Sequence, residues 1–324
     1  MYTRVLGRSE IDVSALGVGT WAIGGPMTNE FGAPVGWGEV NDSESVRAIR
    51  HAMDLGITFF DSANVYGTGH SETLLGQALA GRRSDAVIAT KFGRVFEEGS
   101  RHVTGNDASP AVIRQSCEDS LRRLNTDYID LYQFHLGDYD PARAVEVRDT
   151  LEDLVREGKI LWYGWSTDDA VRARVFAEGP HCTAVQFRLN IFERNGAMLA
   201  LCREHDLAAV IRGPLAMGLL TGKFTPESTL PDNDVRHTWD FKSGDQARWL
   251  ERLAALQEVL TRYGHTLAQA ALGWLWAYSN AAVPIPGFKT VSQVEENAGT
   301  MDFGPLGADQ MREIDALLAD SPTR

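Results

Sequence analysis

TFFDSANVYGTGHSETLLGQALAGRRSDAVIATK, residues 58–91, contains the unit on which the predicted fold rests. A short apolar run (58–62) leads into a polar loop. A segment with helical spacing of its apolar residues follows, and a second apolar run (87–91) ends the unit. Strands that alternate with helices in this way predict a parallel sheet with right-handed crossovers.

The same order recurs along the whole chain, with about 40 residues per unit if the 324 residues are divided among eight units. An open doubly wound sheet and a closed barrel both fit this order. The even spacing, without a shift in composition or a Pro/Gly/Ser-rich linker, favours a single-domain (β/α)8 TIM barrel over residues 1–324. The eight apolar runs are GVGTW (17–21), TFFDS (58–62), VIATK (87–91), IDLYQFH (129–135), LWYGWS (161–166), TAVQF (183–187), AAVIRG (208–213) and AVPIPG (282–287).

Turn and capping signals predict further elements. The first residues read as a hairpin, with strands at 2–6 and 11–13 around a Gly7-Arg8-Ser9 turn. Ser43 is expected to cap the first helix and Gly56 to end it, and Ser109-Pro110 is expected to start a later helix. Two helices are predicted within 246–278, with a break at Gly264. Two long polar stretches, 96–109 and 224–244, follow strands and therefore lie on the loop face of a barrel.

Composition limits the partners of this chain. Its 44 acidic residues exceed its 31 basic ones, which gives a net charge of −13. Because there is no basic cluster, we expect no nucleic-acid or membrane partner, and an anionic cofactor would need locally placed cations. No apolar run approaches the roughly 20 residues that span a bilayer, and no signal peptide is visible. Three cysteines without CxxC spacing predict free thiols in a cytoplasmic protein.

Two familiar motifs are excluded. Residues 17–22, GVGTWA, match a dinucleotide fingerprint, but the glycine- and proline-rich loop that follows cannot open a helix on the pyrophosphate. The eight histidines form no HxxxH or HExxH pair, so we predict no metal site.

Three chemically active residues stand at or near the ends of three successive strands. Asp61, Lys91 and His135 would converge on one mouth of a barrel, and the loop after Asp61 adds Tyr66. A free tyrosine has a pKa of about 10, and a nearby ammonium favours the phenolate and lowers that value. Asp61 would keep Lys91 charged, and His135 would orient a substrate oxygen. Such a group suits proton donation to an oxygen that is becoming an alkoxide.

The chain resembles the aldo-keto reductase superfamily over essentially its whole length. The segments that carry the resemblance are GVGTWAIGG, FFDSANVYGTGHSETLLGQAL, VIATKFG, DYIDLYQFH, PLAMGLLTGK and IPGFKTVSQVEEN. The resemblance implies a barrel closed at its base by the N-terminal hairpin, and an NADPH-dependent reduction of a carbonyl group. It also implies that Asp61, Tyr66, Lys91 and His135 form the catalytic tetrad, with Tyr66 as general acid. The bacterial branch with the inositol-operon and general-stress reductases is the most similar.

The same resemblance implies the residues that contact NADP. Lys289 and Thr290 would clamp the 2′-phosphate, Ser166 and Gln186 would bond the nicotinamide carboxamide, and Asn190 completes a QxxxN pattern. Arg212-Gly213 replaces the Tyr-Ser that is usual in the family, and Thr167 stands where Asn is common. The implied cofactor contacts are Gly19, Thr20, Trp21, Ser166, Gln186, Arg212, Leu215, Gly218, Leu219, Lys223, Gly287, Lys289, Thr290, Gln293, Glu296 and Asn297.

Two other functions fit parts of this pattern. One is an NADP-binding regulatory subunit of the same fold with little or no turnover. The other is a barrel lyase in which Lys91 forms a Schiff base, which needs a desolvated, uncharged lysine. The sequence leaves the small-molecule substrate, the favoured reaction direction and the oligomeric state open.

Overall fold

A computed structural model describes residues 2–319 of the chain. Eight of its strands coincide with the predicted apolar runs, two form the predicted N-terminal hairpin, and two short strands, at 94–96 and 103–106, were not predicted. The strands are β1 (Thr3–Val5), β2 (Asp12–Ser14), β3 (Gly17–Gly19), β4 (Phe59–Asp61), β5 (Val87–Phe92), β6 (Arg94–Phe96), β7 (Val103–Asn106), β8 (Ile129–Phe134), β9 (Ile160–Ser166), β10 (Cys182–Arg188), β11 (Ala208–Arg212) and β12 (Ala282–Pro284).

Eight of these strands form one parallel sheet in the order β12-β11-β10-β9-β8-β5-β4-β3. The edge strand β3 meets the segment that follows the other edge strand, β12, through a parallel bridge between Gly19 and Gly287, and the Gly19 N–H donates to Pro286 O at 3.0 Å. A side chain at Gly19 would lie 2.7 Å from Ile285 O, so only glycine allows this approach. The sheet therefore closes into the predicted (β/α)8 barrel.

Helices connect the strands and cover the outside of the barrel. They are α1 (Asp42–Asp54), α2 (His70–Ala78), α3 (Pro110–Leu124), α4 (Pro141–Arg156), α5 (Ala170–Ala177), α6 (Gly196–His205), α7 (Gly244–Thr261), α8 (Leu267–Tyr278), α9 (Val291–Ala298), α10 (Thr300–Phe303) and α11 (Ala308–Ala319). The larger apolar cluster lies between these helices and the sheet, and a smaller one fills the barrel interior. Within residues 2–319, no helix is long and apolar enough to cross a membrane.

The N-terminal hairpin closes the base of the barrel. β1 and β2 pair antiparallel, and Leu6 is fully buried in the interior cluster. The turn lies against the amino ends of β10 and β11: Ser9 N–H donates to Thr183 Oγ1 at 3.0 Å, and a side chain at Gly7 would meet Thr183 O and Ala208 N. The hairpin therefore lies opposite the carboxyl ends of the strands.

Three local predictions need correction. α1 is capped by Asn41, whose side-chain oxygen accepts from the Glu44 N–H at 3.0 Å, and not by Ser43, which lies inside the helix. Ser109 precedes α3 as expected, but its hydroxyl makes no capping bond. The stretch 96–109 is not simply a loop, because β6 and β7 form a hairpin there. The break at Gly264 is found between α7 and α8, where this residue has φ +87°.

Candidate active site

The carboxyl ends of the barrel strands surround a cavity of about 840 Å³. Loops that follow the strands converge at this end, where active sites of such barrels form. Most of the site residues predicted from the sequence line the cavity: Gly19, Trp21, Asp61, Tyr66, His135, Ser166, Gln186, Arg212, Leu215, Gly218, Lys223, Gly287, Lys289, Gln293, Glu296 and Asn297.

Four predicted residues do not line the cavity. Lys91 lies directly beneath it and is described below. Thr20 is fully buried, donates from its hydroxyl to Asp61 O at 3.1 Å, and accepts a bond from Ser71. Leu219 is also buried, and the Thr290 hydroxyl caps α9 by accepting from a backbone N–H. The bonds of Thr20 and Thr290 hold the neighbouring backbone in place, and Leu219 packs in the core.

Lys91 is a buried cation in β5 with no exposed side-chain surface. Its Nζ donates to Asp61 Oδ1 at 2.5 Å, to the Ser62 carbonyl oxygen at 2.7 Å and to the Tyr66 hydroxyl at 3.2 Å. Burial disfavours its charge, but the neighbouring Asp61 and Tyr66 outweigh burial and raise the pKa of Lys91. All three donors of a charged ammonium are used, whereas a Schiff-base lysine needs an uncharged amine, so this arrangement argues against the lyase alternative.

Asp61 ends β4 and is held from both sides. While Oδ1 accepts from Lys91, Oδ2 accepts from Gln133 Nε2 at 2.9 Å and from Gln186 Nε2 at 2.7 Å. Both glutamines are buried within β8 and β10. Sequence reasoning missed Gln133 altogether and assigned Gln186 to the nicotinamide. The signal was an uncharged polar residue inside an apolar strand, which must find a partner when it is buried.

Tyr66 lies in the glycine-rich loop between β4 and α2 and faces the cavity. Its ring stacks near Trp21, with centroids 6.0 Å apart, and the Lys91 ammonium lies 4.9 Å from the ring centre. Lys91 lowers the pKa of Tyr66 as expected, but the sequence provided no measure of burial, and the net shift is upward. Burial raises the pKa, and the lowering by Lys91 offsets only part of that rise. Tyr66 therefore carries its proton at neutral pH.

His135 follows β8 and meets Tyr66 edge to face, with ring centroids 5.9 Å apart. Its Nδ1 is buried and has no hydrogen-bond partner among residues 2–319. Burial, together with the positive charges of Lys91, Arg94 and Arg212, holds the pKa of His135 well below its usual value. The imidazole is therefore neutral at physiological pH and can hydrogen-bond a ligand without carrying charge.

Arg212 occupies the position that departs from the family pattern. It lines the cavity and forms an ion pair with Asp168, which follows β9. Gly213 has φ +62°, a conformation that the usual serine would adopt only with strain. Asn190 lies below this turn and donates from Nδ2 to Gly213 O at 3.1 Å. Asn190 thus supports the Arg212-Gly213 turn. Thr167, the other residue that departs from the family pattern, donates from its hydroxyl to Gly137 O at 2.6 Å.

Three cations gather at another part of the same cavity. Lys223 and Lys289 were predicted, but Arg236, in the long stretch 224–244, was missed. Burial and the repulsion of Arg236 lower the pKa of Lys223, and burial lowers that of Lys289. Since Asp234 neutralises only part of this charge, the cluster favours an anionic group such as a phosphate.

A strap made by residues 33–39 and 233–236 runs along the rim beside these cations. The Val235 N–H donates to Gly36 O at 2.7 Å, and the backbones of Trp37 and Asp234 form an antiparallel β-bridge. The Arg236 guanidinium lies 4.3 Å from the Trp37 ring centre. Lys289 Nζ also donates to Trp37 O, which ties the strap to the segment between β12 and α9.

The amino end of α9 is partly occupied by this chain's own groups. The Val291 N–H donates to Glu44 Oε1 at 2.9 Å, and the Lys289 N–H donates to Gln293 Oε1 at 2.7 Å. The predicted phosphate contact from backbone N–H groups therefore competes with a carboxylate from α1. The lysine side chains remain the stronger candidates for that contact.

Comparisons with known proteins agree with this geometry. The Aldo/keto reductase family matches residues 15–319. The NADH-specific methylglyoxal reductase of Escherichia coli (strain K12) is 31% identical, with 95% of this chain and 97% of that protein covered. The structure of the glycerol dehydrogenase AKR11B4 from Gluconobacter oxydans is 32% identical, covers 99% and 97% of the two chains, and superposes with a TM-score of 0.84.

A further structure shows a relative with a cofactor. It is an aldo/keto reductase from Klebsiella pneumoniae in complex with NADP and acetate, 27% identical, with a TM-score of 0.71. The match covers 100% of this chain and 98% of that one.

Proposed function

The chain belongs to the aldo/keto reductase family, whose members are NAD(P)-dependent oxidoreductases, and on that premise we propose that it reduces an aldehyde or ketone to the alcohol with NADPH. The observation that carries the proposal is the hydrogen-bonded chain from Asp61 through Lys91 to the Tyr66 hydroxyl, beside His135 in the large cavity.

Tyr66 is proposed as the general acid. NADPH, when bound in this cavity, would supply the hydride for the carbonyl carbon. The Tyr66 hydroxyl would then give its proton to the carbonyl oxygen. The Lys91 ammonium, bonded to the Tyr66 oxygen, stabilises the phenolate that remains. Neutral His135 orients the carbonyl oxygen toward the phenol. Proton donation of this kind contributes typically 10²–10⁴-fold to a rate.

Asp61 is proposed as a positioning residue. Its carboxylate keeps Lys91 charged and fixes the ammonium under Tyr66, while Gln133 and Gln186 saturate its second oxygen. A buried carboxylate with all these partners keeps one orientation, which holds the donor chain in place.

NADP is the proposed cofactor, and the residues present fit it. The cavity is long enough to include both Tyr66 and the cationic group of Lys223, Arg236 and Lys289. Cations in that group would hold the phosphates, and Glu296 and Asn297 line the wall beyond them. A relative solved with NADP supports the assignment, whereas the relative named as NADH-specific makes the 2′-phosphate contact the point to test.

The proposal also covers the partner, the cellular location and the domain organisation. The partner is a small carbonyl or alcohol compound. We keep the cytoplasm as the proposed location, since Cys117, Cys182 and Cys202 are free and buried. We also keep one domain over residues 1–324 as a prediction.

The direct test is a panel of aldehydes, ketones and sugars, followed by NADPH absorbance. Tyr66→Phe is expected to lower kcat by at least about 10²-fold while NADPH still binds. Tyr263→Phe, an exposed tyrosine on the outside of the barrel, is the matched control and should behave like the wild type. Near-normal turnover by Tyr66→Phe would remove the proton-donor role. NADPH binding without turnover of any carbonyl in the wild type would instead indicate the regulatory-subunit alternative.

A further inference from the structure

The cavity is cationic although the chain as a whole is anionic. Six basic and three acidic side chains line it, whereas the whole chain has a net charge of −13. The basic residues are Arg94, Arg188, Arg212, Lys223, Arg236 and Lys289, and the acidic ones are Glu30, Asp61 and Glu296. Because an excess of one charge in a cleft attracts ligands of the other sign, the cavity favours anionic ligands.

This positive charge falls into two parts. Lys223, Arg236 and Lys289 influence one another's charge and form the proposed phosphate-binding end. Arg94 and Arg212 instead act on the catalytic His135. The cofactor phosphates therefore account for one part of the charge and leave the part beside the reacting groups unexplained.

The partners of the three remaining arginines differ. Arg212 pairs with Asp168, and Arg188 pairs with Glu193 at 3.2 Å. Arg94 donates to the neutral Asn106 Oδ1 at 2.9 Å and forms no ion pair within residues 2–319. Glu30 lines the cavity as well but forms no ion pair with any of these arginines in the described part of the chain.

Arg94 is also held in place by the strand to which it belongs. It starts β6, two residues after β5 ends, and β6 pairs with β7 to form the hairpin beside the cavity. The bond to Asn106 crosses this hairpin, so one arm of the guanidinium is fixed and the other Nη remains available. A planar guanidinium with free donors matches a carboxylate or a phosphate group.

We propose that the preferred substrate is a carbonyl compound that also carries a carboxylate or phosphate group, and that Arg94 binds this group. The inference rests on the proposed reductase function and deepens it. The anionic group is not the reacting one: the hydride and the Tyr66 proton add to the carbonyl, NADPH is oxidised, and the anion stays unchanged. Arg94 is thus a specificity-determining residue outside the tetrad.

The test compares matched pairs of substrates that differ only in the anionic group. 4-Formylbenzoate is compared with 4-formylbenzamide, and D-glyceraldehyde 3-phosphate with D-glyceraldehyde. We expect the wild type to prefer the anionic member of at least one pair in kcat/KM, and the pair that shows it identifies carboxylate or phosphate. In Arg94→Gln this preference should fall by about tenfold or more, the usual effect of losing a charge-assisted hydrogen bond. Arg94→Lys should keep part of it.

Two controls separate this effect from overall charge and from folding. Arg248→Gln removes an exposed arginine on α7, away from the cavity, and should leave the preference unchanged. Raising the salt concentration from about 0.05 M to about 0.5 M should reduce the wild-type preference without any substitution, because salt screens the attraction.

The outcomes distinguish the two proposals. Equal kcat/KM within both pairs, or a preference that survives in Arg94→Gln, would overturn the role of Arg94 while leaving the reductase function intact. If neither member of either pair is reduced and the broader carbonyl panel also fails, the reductase function itself is refuted.

Discussion

Replacing Lys91 with methionine tests how the tetrad is built. Lys91→Met has a similar length but removes the ammonium that meets Asp61, Ser62 O and Tyr66. The Asp61 side chain is only 3% exposed and would become a buried charge held by two neutral amides. Removing one partner of a buried ion pair costs about 3–5 kcal/mol, and we expect this loss in the free energy of unfolding.

The double variant Asp61→Asn/Lys91→Met separates stability from catalysis. It removes both charges, and replacing a whole buried pair with neutral groups is often close to neutral for stability. We therefore expect most of the lost free energy to return, measured by urea unfolding followed by circular dichroism. NADPH turnover should stay at least about 10²-fold below the wild type, since nothing then stabilises the Tyr66 phenolate. A double variant that is no more stable than Lys91→Met, or a Lys91→Met variant as stable as the wild type, would refute this account of the pair.

Two further predictions concern the cofactor and pH. Lys289→Ala should weaken NADPH binding by about tenfold and NADH binding much less, because the Lys289 ammonium would face only the 2′-phosphate, which NADH lacks. Fluorescence titration with each cofactor measures the two affinities. Equal losses for both cofactors would contradict the prediction. Carbonyl reduction needs the protonated form of Tyr66, and burial raises the pKa of this phenol, so the alkaline fall of kcat should come at a higher pH than the ordinary tyrosine pKa of about 10 would give. In the Tyr66→Phe variant this alkaline fall should be absent from the residual rate.

The barrel could be predicted because each strand has a local signal. Apolar, β-branched runs mark the buried strands, and their even spacing fixes their number. Local capping was less predictable: Asn41 and Ser43 are both good capping residues, and only the geometry of the chain before α1 selects Asn41. The hairpin of β6 and β7 was missed because its strands are only three and four residues long and mix apolar with polar residues, which leaves no alternating hydrophobic pattern to detect.

The active-site residues also divide into those with a local sequence signal and those that depend on the folded chain. Asp61, Tyr66, Lys91 and His135 were accessible from the sequence because each stands at or near a strand end. Arg236 was not, because it reaches the cavity only when the stretch 224–244 folds back on Trp37. The net pKa of Tyr66 depends on how completely the protein surrounds it, and a count of neighbouring charges does not give that quantity.

The position of the N-terminal hairpin has a practical consequence. Because β1 and β2 seal the pole of the barrel opposite the cavity, a support or reporter attached ahead of Tyr2 would point away from incoming aldehydes and cofactor. Attachment at that end should leave the reactive opening free. Deleting the hairpin would instead open the interior cluster around Leu6 to water, so engineered variants should keep these opening residues.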